Sequence, residues 1–350
     1  MKEVDYIVVG LGIAGVSFCD RLIRSQKDFV ALDVPNTSAT RVAGGIVNPV
    51  VLKRITPVWN AIPFLEEANS FYASIQTRLQ SQFLKETEIL RILAGAEEQN
   101  EWMIASGKNN LAGFLTSKLK PNTYASLQAP YELGKMNRAL QIDTKLLLDN
   151  YADFLMESGK YSPQEFQYDQ LTLEGNRIRY GDIVAKQIVF AEGAAVVENP
   201  YFTIEGLIPK KGEYITIKAE KLQLDKVVKG PFFLIPLGSD LYKVGATFAH
   251  GDVSPEQTLK GREQLIAALH KMIDCPFQVV AQEVGMRPTV KDRKPLLGSL
   301  SHKQLYFFNG LGTRGLLMAP LLSKMLFDHI EKNQGLPLEM DIKRFSSDRT

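Results

Sequence analysis

At 350 residues the chain exceeds one average domain, so two domains are expected, and 45% hydrophobic content can bury a core in each without disulfide or metal staples. Its 41 basic and 39 acidic side chains leave a formal net charge of +2, which argues against a protein wrapped in nucleic acid and leaves a local basic patch as the route to such a partner. Cys19 and Cys275 are too far apart for a metal motif and read as reduced, inert thiols, as in a cytoplasmic protein; no stretch is long and uncharged enough to span a bilayer.

The first apolar run, Tyr6-Ile7-Val8-Val9, reads as a buried parallel strand rather than a signal-peptide core, since Glu3 and Asp5 precede it. It enters Gly10-Leu11-Gly12-Ile13-Ala14-Gly15 and a helix with apolar residues at Val16, Cys19, Leu22 and Ile23; Phe29 to Asp33 reads as the return strand. Gly10 permits the tight turn, Gly12 lets a pyrophosphate approach the backbone of Ile13 and Ala14, and Gly15 lets the helix pack on the sheet. The phosphates would face a helix N-terminus, where free N–H groups favour anions. Asp33 stands where a carboxylate can accept hydrogen bonds from ribose hydroxyls. This is a dinucleotide site.

A glycine-rich loop, Ala43 to Pro49, follows, then an amphipathic helix from Ala61 to Leu84 with Phe64, Ala68, Phe71, Ile75 and Leu79 on one face. Residues 85–140 read as mixed strands and turns, and Ile142 to Met156 as a helix opened by Asp143-Thr144. Leu171–Leu173 and Arg177–Tyr180 form a hairpin; Ala185–Ala191 is a strand that runs into Glu192-Gly193-Ala194-Ala195. Tyr214–Lys218 and Leu241–Gly245 alternate like half-buried antiparallel strands, interrupted by a helix near Gln257–Met272. The end repeats the opening logic: strand Gln304–Asn309, loop Gly310–Gly315, helix Leu316–Ile330. Four separated glycine segments suggest one long cofactor touched from four places, which suits FAD better than NAD.

These segments, in order, resemble the D-amino-acid oxidase-type FAD oxidoreductases, the group of glycine oxidase and sarcosine oxidase. The resemblance runs through Gly44-Gly45, Val189-Phe190-Ala191-Glu192-Gly193-Ala194, Phe233-Leu234-Ile235-Pro236 with Val244-Gly245-Ala246-Thr247, Gly285-Met286-Arg287-Pro288, and Gly310-Leu311-Gly312-Thr313-Arg314-Gly315-Leu316. It implies an α/β fold: a Rossmann-like FAD-binding domain (1–84, 142–205 and 283–350) with an inserted α+β substrate domain built on an antiparallel sheet (85–141 and 206–282). It implies that Ile13, Ala14, Asp33 and Val34 contact the ADP portion. Thr40, Gly44, Gly45 and Ile46 would lie along the pyrophosphate and isoalloxazine. Gly193 and the loop Gly310, Leu311, Gly312, Thr313, Arg314, Gly315 and Leu316 would complete the flavin site.

By the same resemblance Arg287 grips the substrate carboxylate, a task its planar fork suits through two parallel hydrogen bonds. Phe233, Thr313 and Arg314 would border the substrate. The chain departs from its relatives at three of these places. Phe233 stands where a tyrosine is common, with Tyr242 or Tyr214 as substitutes for its hydroxyl. Gly285 stands where sarcosine-oxidase-type enzymes tether flavin through cysteine, so FAD is expected to be non-covalent. Thr313, followed by Arg314, stands where glycine oxidase has an arginine.

The expected activity is oxidation of the C–N bond of a small amino acid or secondary amine by hydride transfer to flavin, with a carboxylate-bearing amine as substrate. The segment from Gly310 to Leu322 also resembles the FAD domain of the bifunctional tRNA wobble-uridine modification enzymes, which act on a tRNA-borne N-substituted glycine; Lys53-Arg54, Lys210-Lys211, Lys291 and Arg293-Lys294 are the candidate RNA contacts. A non-catalytic flavoprotein is the third reading. His250, His270, His302 and His329 are scattered without a nucleophile or carboxylate partner in any motif, and no metal site or catalytic side chain is expected.

Overall fold

The computed structural model describes residues 1–249 and 251–345; His250 lies outside the described residues. β1 (Lys2–Val9) buries its apolar stretch from Tyr6 to Val9, and Gly10, at φ +93°, turns the chain off its end into α1 (Ile13–Arg24). The return strand β2 (Phe29–Leu32), buried throughout, pairs with β1 in parallel, as a sheet covered on both faces requires. A one-turn helix, α2 (Ala39–Val42), is capped by Ser38 Oγ accepting from Thr40 N. Short strands follow: β3 (Ile46–Val47), then the hairpin of β4 (Val50–Val51) and β5 (Thr56–Pro57).

α3 (Ala61–Leu79) buries Phe64, Ala68, Phe71 and Ile75, the expected stripe, but ends at Gln80, which is left-handed at φ 49°. Leu84, expected as its last residue, instead opens β6 (Leu84–Ile92). The stretch read as strands and turns contains a helix, α4 (Ala96–Ser106), which buries only Trp102, Ala105 and Ser106 and so shows no apolar stripe. β7 (Leu133–Ile142) takes Ile142, and α5 (Thr144–Glu157) starts behind Asp143, whose carboxylate accepts from Leu146 N. Then come β8 (Tyr161–Ser162), the hairpin of β9 (Leu171–Glu174) and β10 (Arg177–Tyr180), and β11 (Ile183–Phe190).

The remaining chain forms β12 (Leu207–Lys218), β13 (Val227–Lys229), β14 (Phe233–Gly238), β15 (Leu241–Gly245), α6 (Leu259–Leu269) and β16 (Gln278–Val290). It closes with β17 (Leu296–Gly298), β18 (Leu305–Asn309) and α7 (Gly315–Lys332).

Two sheets organise these elements. The first runs β17-β18-β11-β1-β2-β8, with the β9–β10 hairpin on β11. Its central pairs are parallel, and α7 packs on α1 and α3 beside it. The second runs β16-β12-β15-β14-β13-β6-β7-β3 and is antiparallel apart from the β13–β6 pair. Strand alternation divides its side chains. Ile215, Ile217, Leu234 and Val244 join Leu265 and Leu269 of α6 in one core. Tyr214, Gly245, Phe233, Ile235 and Arg287 share the opposite face, and Ile235 there joins the core of the first sheet's helices. β16 continues unbroken to Val290, so a boundary at 283 would cut a strand, and β3 of the first segment pairs into the second sheet.

Buried Glu213 of β12 holds this second sheet's far face together. It accepts from Thr258 N at 2.9 Å, Thr258 Oγ1 at 2.6 Å and Gln282 Nε2 at 2.7 Å. Glu213→Ala would strand those donors and is expected to cost about 2–4 kcal/mol in denaturant unfolding, with Glu213→Gln retaining part of it.

Candidate functional site

The glycine turns meet where the sheets meet. A Cβ on Gly15 would overlap the carbonyl oxygen of Gly10, so α1 lies as close to the end of β1 as backbone allows. Gly10 abuts Ala191 and Glu192 at the end of β11. Asn309, buried at the end of β18, donates from Nδ2 to Gly193 O at 2.8 Å and accepts from Gly310 N at 2.8 Å, which joins two glycine segments. Gly312 N donates to Pro288 O at 2.9 Å, fixing the loop before α7 to the residue after Arg287. Tyr72 of α3 donates to Leu316 O at 2.7 Å and sets the first turn of α7. A Cβ on Gly315 would stand 3.0 Å from Ile13 Cγ2, so the N-termini of α1 and α7 converge.

Around these turns stand the polar groups suited to a dinucleotide. Ile13 N donates to Thr40 Oγ1 at 3.0 Å, which brings α2 over the first glycine turn. Asp33 accepts from the Leu11 amide, yet burial pushes its pKa up to about 6. Val34 beyond it is exposed. Glu192 is pushed up to about 7 by burial, although Tyr168 OH and Asn199 Nδ2 donate to it at 2.5 Å and 2.8 Å. The sequence assigns no role to Glu192 or Asn309, because a polar side chain at a strand end does not reveal its partners until the strands are paired.

The loop from Ser38 to Val47 threads between the sheets. Arg41 reaches Asp149 of α5 at 2.6 Å, and a Cβ on Gly285 would meet Val42 at 3.4 Å. A Cβ on Gly44 would stand 2.6 Å from Ile235 Cδ1, and one on Gly45 would overlap Ile142 O. Ile46 pairs with Gln141 of β7.

On the facing sheet, Arg287 folds back across Gly212, where any Cβ would collide with its guanidinium. Its Nη1 donates to Thr247 O at 3.2 Å and its guanidinium carbon lies 6.0 Å from the Phe248 ring centroid. Among the described residues no carboxylate lies within ion-pair distance of it. Tyr242 points to the opposite face, its OH accepting from Leu224 N, so it does not replace the missing tyrosine hydroxyl. Tyr214 is on the same face as Arg287, but its ring packs against Gly245 and its hydroxyl lies by Gly44. Phe233 opposes Gly245 in the neighbouring strand pair. Thr313 is exposed; Arg314 turns inward, with Nη1 3.4 Å from Asn48 O, and burial pushes its pKa down to about 10.

Of the candidate RNA contacts, Lys210 and Lys211 point to opposite faces of β12 by strand alternation, and Lys211 is fully buried against Asp252 at 2.7 Å. It is not a surface contact. Lys294 stacks on Trp59, 3.5 Å from the ring centroid, while Lys53, Arg54, Lys291 and Arg293 are exposed. Among the described residues no group of three or more His, Cys, Asp or Glu could hold a metal, and no helix is long and apolar enough to cross a membrane.

These residues fit FAD: bare backbone at Gly10, Gly12 and Gly15 ahead of α1, a carboxylate beside the turn, and a second glycine loop ahead of α7. Gly285 offers no thiol; Cys19 is buried in α1 and Cys275 lies between α6 and β16.

Comparison with known proteins agrees with this geometry. The model of the family described as FAD dependent oxidoreductase matches residues 5–329. The bifunctional protein MnmC of tRNA 5-methylaminomethyl-2-thiouridine biosynthesis from Marinobacter nauticus is 23% identical over 93% of this chain, which spans 55% of that protein's length. Glycine oxidase from Bacillus cereus superposes with a TM-score of 0.78 at 17% identity, covering 95% of this chain and 96% of that one. Iminodiacetate oxidase from Chelativorans sp. BNC1 gives 0.76 at 18% identity, covering 97% and 98%. These structural likenesses show the fold.

Two outcomes are expected. If ribose hydroxyls donate to ionised Asp33, as the resemblance implies, FAD binding should release a proton below about pH 6, with affinity rising as pH rises to that point and then levelling. Titration of flavin-depleted protein from about pH 5 to 7.5 checks this, and Asp33→Asn should flatten the profile and weaken binding roughly tenfold at the upper end. Acid precipitation should leave the flavin in the supernatant.

Proposed function

Because the chain belongs to the FAD dependent oxidoreductase family, we propose that it oxidises the C–N bond of a small amino acid or secondary amine bearing a carboxylate. The carrying observation is Arg287. A half-buried guanidinium laid on bare backbone, with no carboxylate beside it among the described residues, is a site for a ligand's carboxylate rather than a structural ion pair. Gly212 provides the space and Thr247 O fixes the fork's angle. A carboxylate held there places the adjacent α-carbon toward the loop of Gly44 and Gly45 and the N-terminus of α7. Phe233 adds an apolar wall that keeps water from the reacting bond. When bound, FAD supplies the acceptor for the hydride that leaves the α-carbon. Names among the similar proteins, glycine oxidase and iminodiacetate oxidase, support an amine carrying carboxylate groups. A cytoplasmic location belongs to the same proposal.

The likeness to MnmC over 93% of the chain favours a second reading, in which the amine is borne on tRNA and exposed Lys53, Arg54, Lys291 and Arg293 meet its backbone. Such binding would weaken steeply with salt. Filter binding of tRNA across a salt series, together with wobble-uridine nucleosides in a deletion strain, decides between the two readings.

Anaerobic mixing with a panel of N-substituted glycines and D- and L-amino acids should bleach the flavin of the holoenzyme. Arg287→Ala should lower the second-order reduction constant by about 100-fold or more, chiefly through weaker binding, with flavin content unchanged. An unchanged constant would remove Arg287 from the site.

A further inference from the structure

Lys229 stands across the same sheet face from Arg287. The registers Lys229↔Phe233, Phe233↔Gly245, Gly245↔Tyr214 and Tyr214↔Glu283 form one row, and Glu283 is on the same face of β16 as Arg287. The Lys229 ammonium lies 5.1 Å from the centre of the Phe233 ring, so its head is beside the residue that borders the proposed substrate space. Both of its hydrogen bonds, 2.8 Å each, go to carbonyls of its own turn, Gly230 O and Pro231 O. Among the described residues no carboxylate pairs with it. Burial pushes its pKa down to about 8, and two further cations, Arg91 and Lys53, act in the same direction.

Those neighbours do not neutralise it. Arg91 on β6 opposes Lys229 in register and already holds Glu98 at 3.0 Å, while its buried Nε–H has no hydrogen-bond partner among the described residues. Lys53 comes from the β4–β5 hairpin and is exposed. A partly desolvated ammonium, an unsatisfied guanidinium N–H and a third cation thus gather at one end of the floor formed by Phe233 and Gly245. Arg287 stands at the other end. The two ends are separated by four strand spacings, about 19 Å across the sheet between backbones, with Arg287 further along β16 than Glu283; the Arg287 guanidinium, folded back over Gly212 of β12, shortens that gap.

We propose that the site takes an amine carrying a second anionic group, with Arg287 holding the α-carboxylate and Lys229, backed by Arg91, holding the distal anion. The proposal rests on the carboxylate role given to Arg287 above and goes beyond it by setting the substrate class: a carboxylate or phosphate at the far end of the amine. Lys229 is then a specificity residue. It sets affinity for the distal group and has no part in breaking the C–N bond.

Calorimetric titration of the holoenzyme with acetate, with α,ω-dicarboxylates from malonate to pimelate, and with ω-phosphonocarboxylates of matching length tests this without turnover. One dicarboxylate or phosphonate length is expected to bind about tenfold or more tighter than acetate. Lys229→Met should abolish that advantage while leaving acetate affinity unchanged, and Lys229→Arg should keep most of it. Whichever series shows the larger advantage identifies the distal group. A length-independent affinity, or an advantage that survives Lys229→Met, overturns the proposal. Arg287→Met separates the two claims: it should remove acetate binding altogether. If it does so while Lys229→Met changes nothing, the Arg287 reading stands and the second subsite falls. If acetate binding survives Arg287→Met, the Arg287 reading fails, and this proposal fails with it.

Discussion

The passage of one backbone loop between two sheets sets the position of everything else in the site. From Ser38 to Val47 the chain runs through a gap too narrow for side chains at Gly44 and Gly45, with Ile235 of the second sheet on one side and the carbonyl of Ile142 on the other. Gly285 gives Val42 its seat on β16, and Arg41 ties the loop to α5 through Asp149. A joint made of backbone against backbone transmits position with little slack, because there is no flexible side chain to absorb a shift. The N-termini of α1 and α7 are built on the first sheet and Arg287 on the second, and this loop fixes the distance between them. The bond from Gly312 N to Pro288 O pins the same two parts from the other end.

Charge placement separates the site from the scaffold. Elsewhere several buried charges are paired: Lys211 with Asp252, Lys243 with Glu283, and Asp20 with Arg24 at 2.6 Å and with Arg78. Such pairs offset the cost of desolvation locally. Arg287, Arg314 and Lys229 have no carboxylate partner among the described residues; Arg287 and Lys229 share one face of the second sheet, and Arg314 reaches Asn48 beside the glycine loop. Random placement of imperfect pairs would scatter them. Instead Arg287 and Lys229 stand at the two ends of one sheet face, with burial pushing Arg314 and Lys229 down, as expected for the anionic substrate proposed above.

What the sequence shows and what it hides follows from how each feature is written in it. Turns that need glycine for steric reasons leave a local mark, so Gly10, Gly15, Gly45 and Gly310 were all legible, as was the Asp143 cap. The end of α3 was not, because apolar Leu84 continues the stripe in sequence while the left-handed Gln80 has already ended the helix. α4 was hidden for the opposite reason: its buried face is a single i, i+3, i+4 set, Trp102, Ala105 and polar Ser106, too short to show as an apolar stripe, and its acidic first turn, Glu97 and Glu98, was the one available signal. Lys229 was invisible, since a lysine at a strand end looks like solvated surface until the strand pairing puts Phe233 and Arg91 beside it.

The departure at Phe233 takes on a definite meaning in this setting. Relatives that place a tyrosine there have a hydroxyl to help an arginine hold one carboxylate. Here Tyr242 faces the wrong core and the Tyr214 hydroxyl is taken up beside Gly44, so no neighbouring tyrosine supplies that contact from the strands on either side. Loss of the hydroxyl leaves an aromatic face, and the Lys229 ammonium has settled against it. The ring attracts the cation through its face. On the proposed reading, Phe233 gives up a hydroxyl contact to the first carboxylate and carries on its ring the cation that meets a second anion, so the two residues act as one unit.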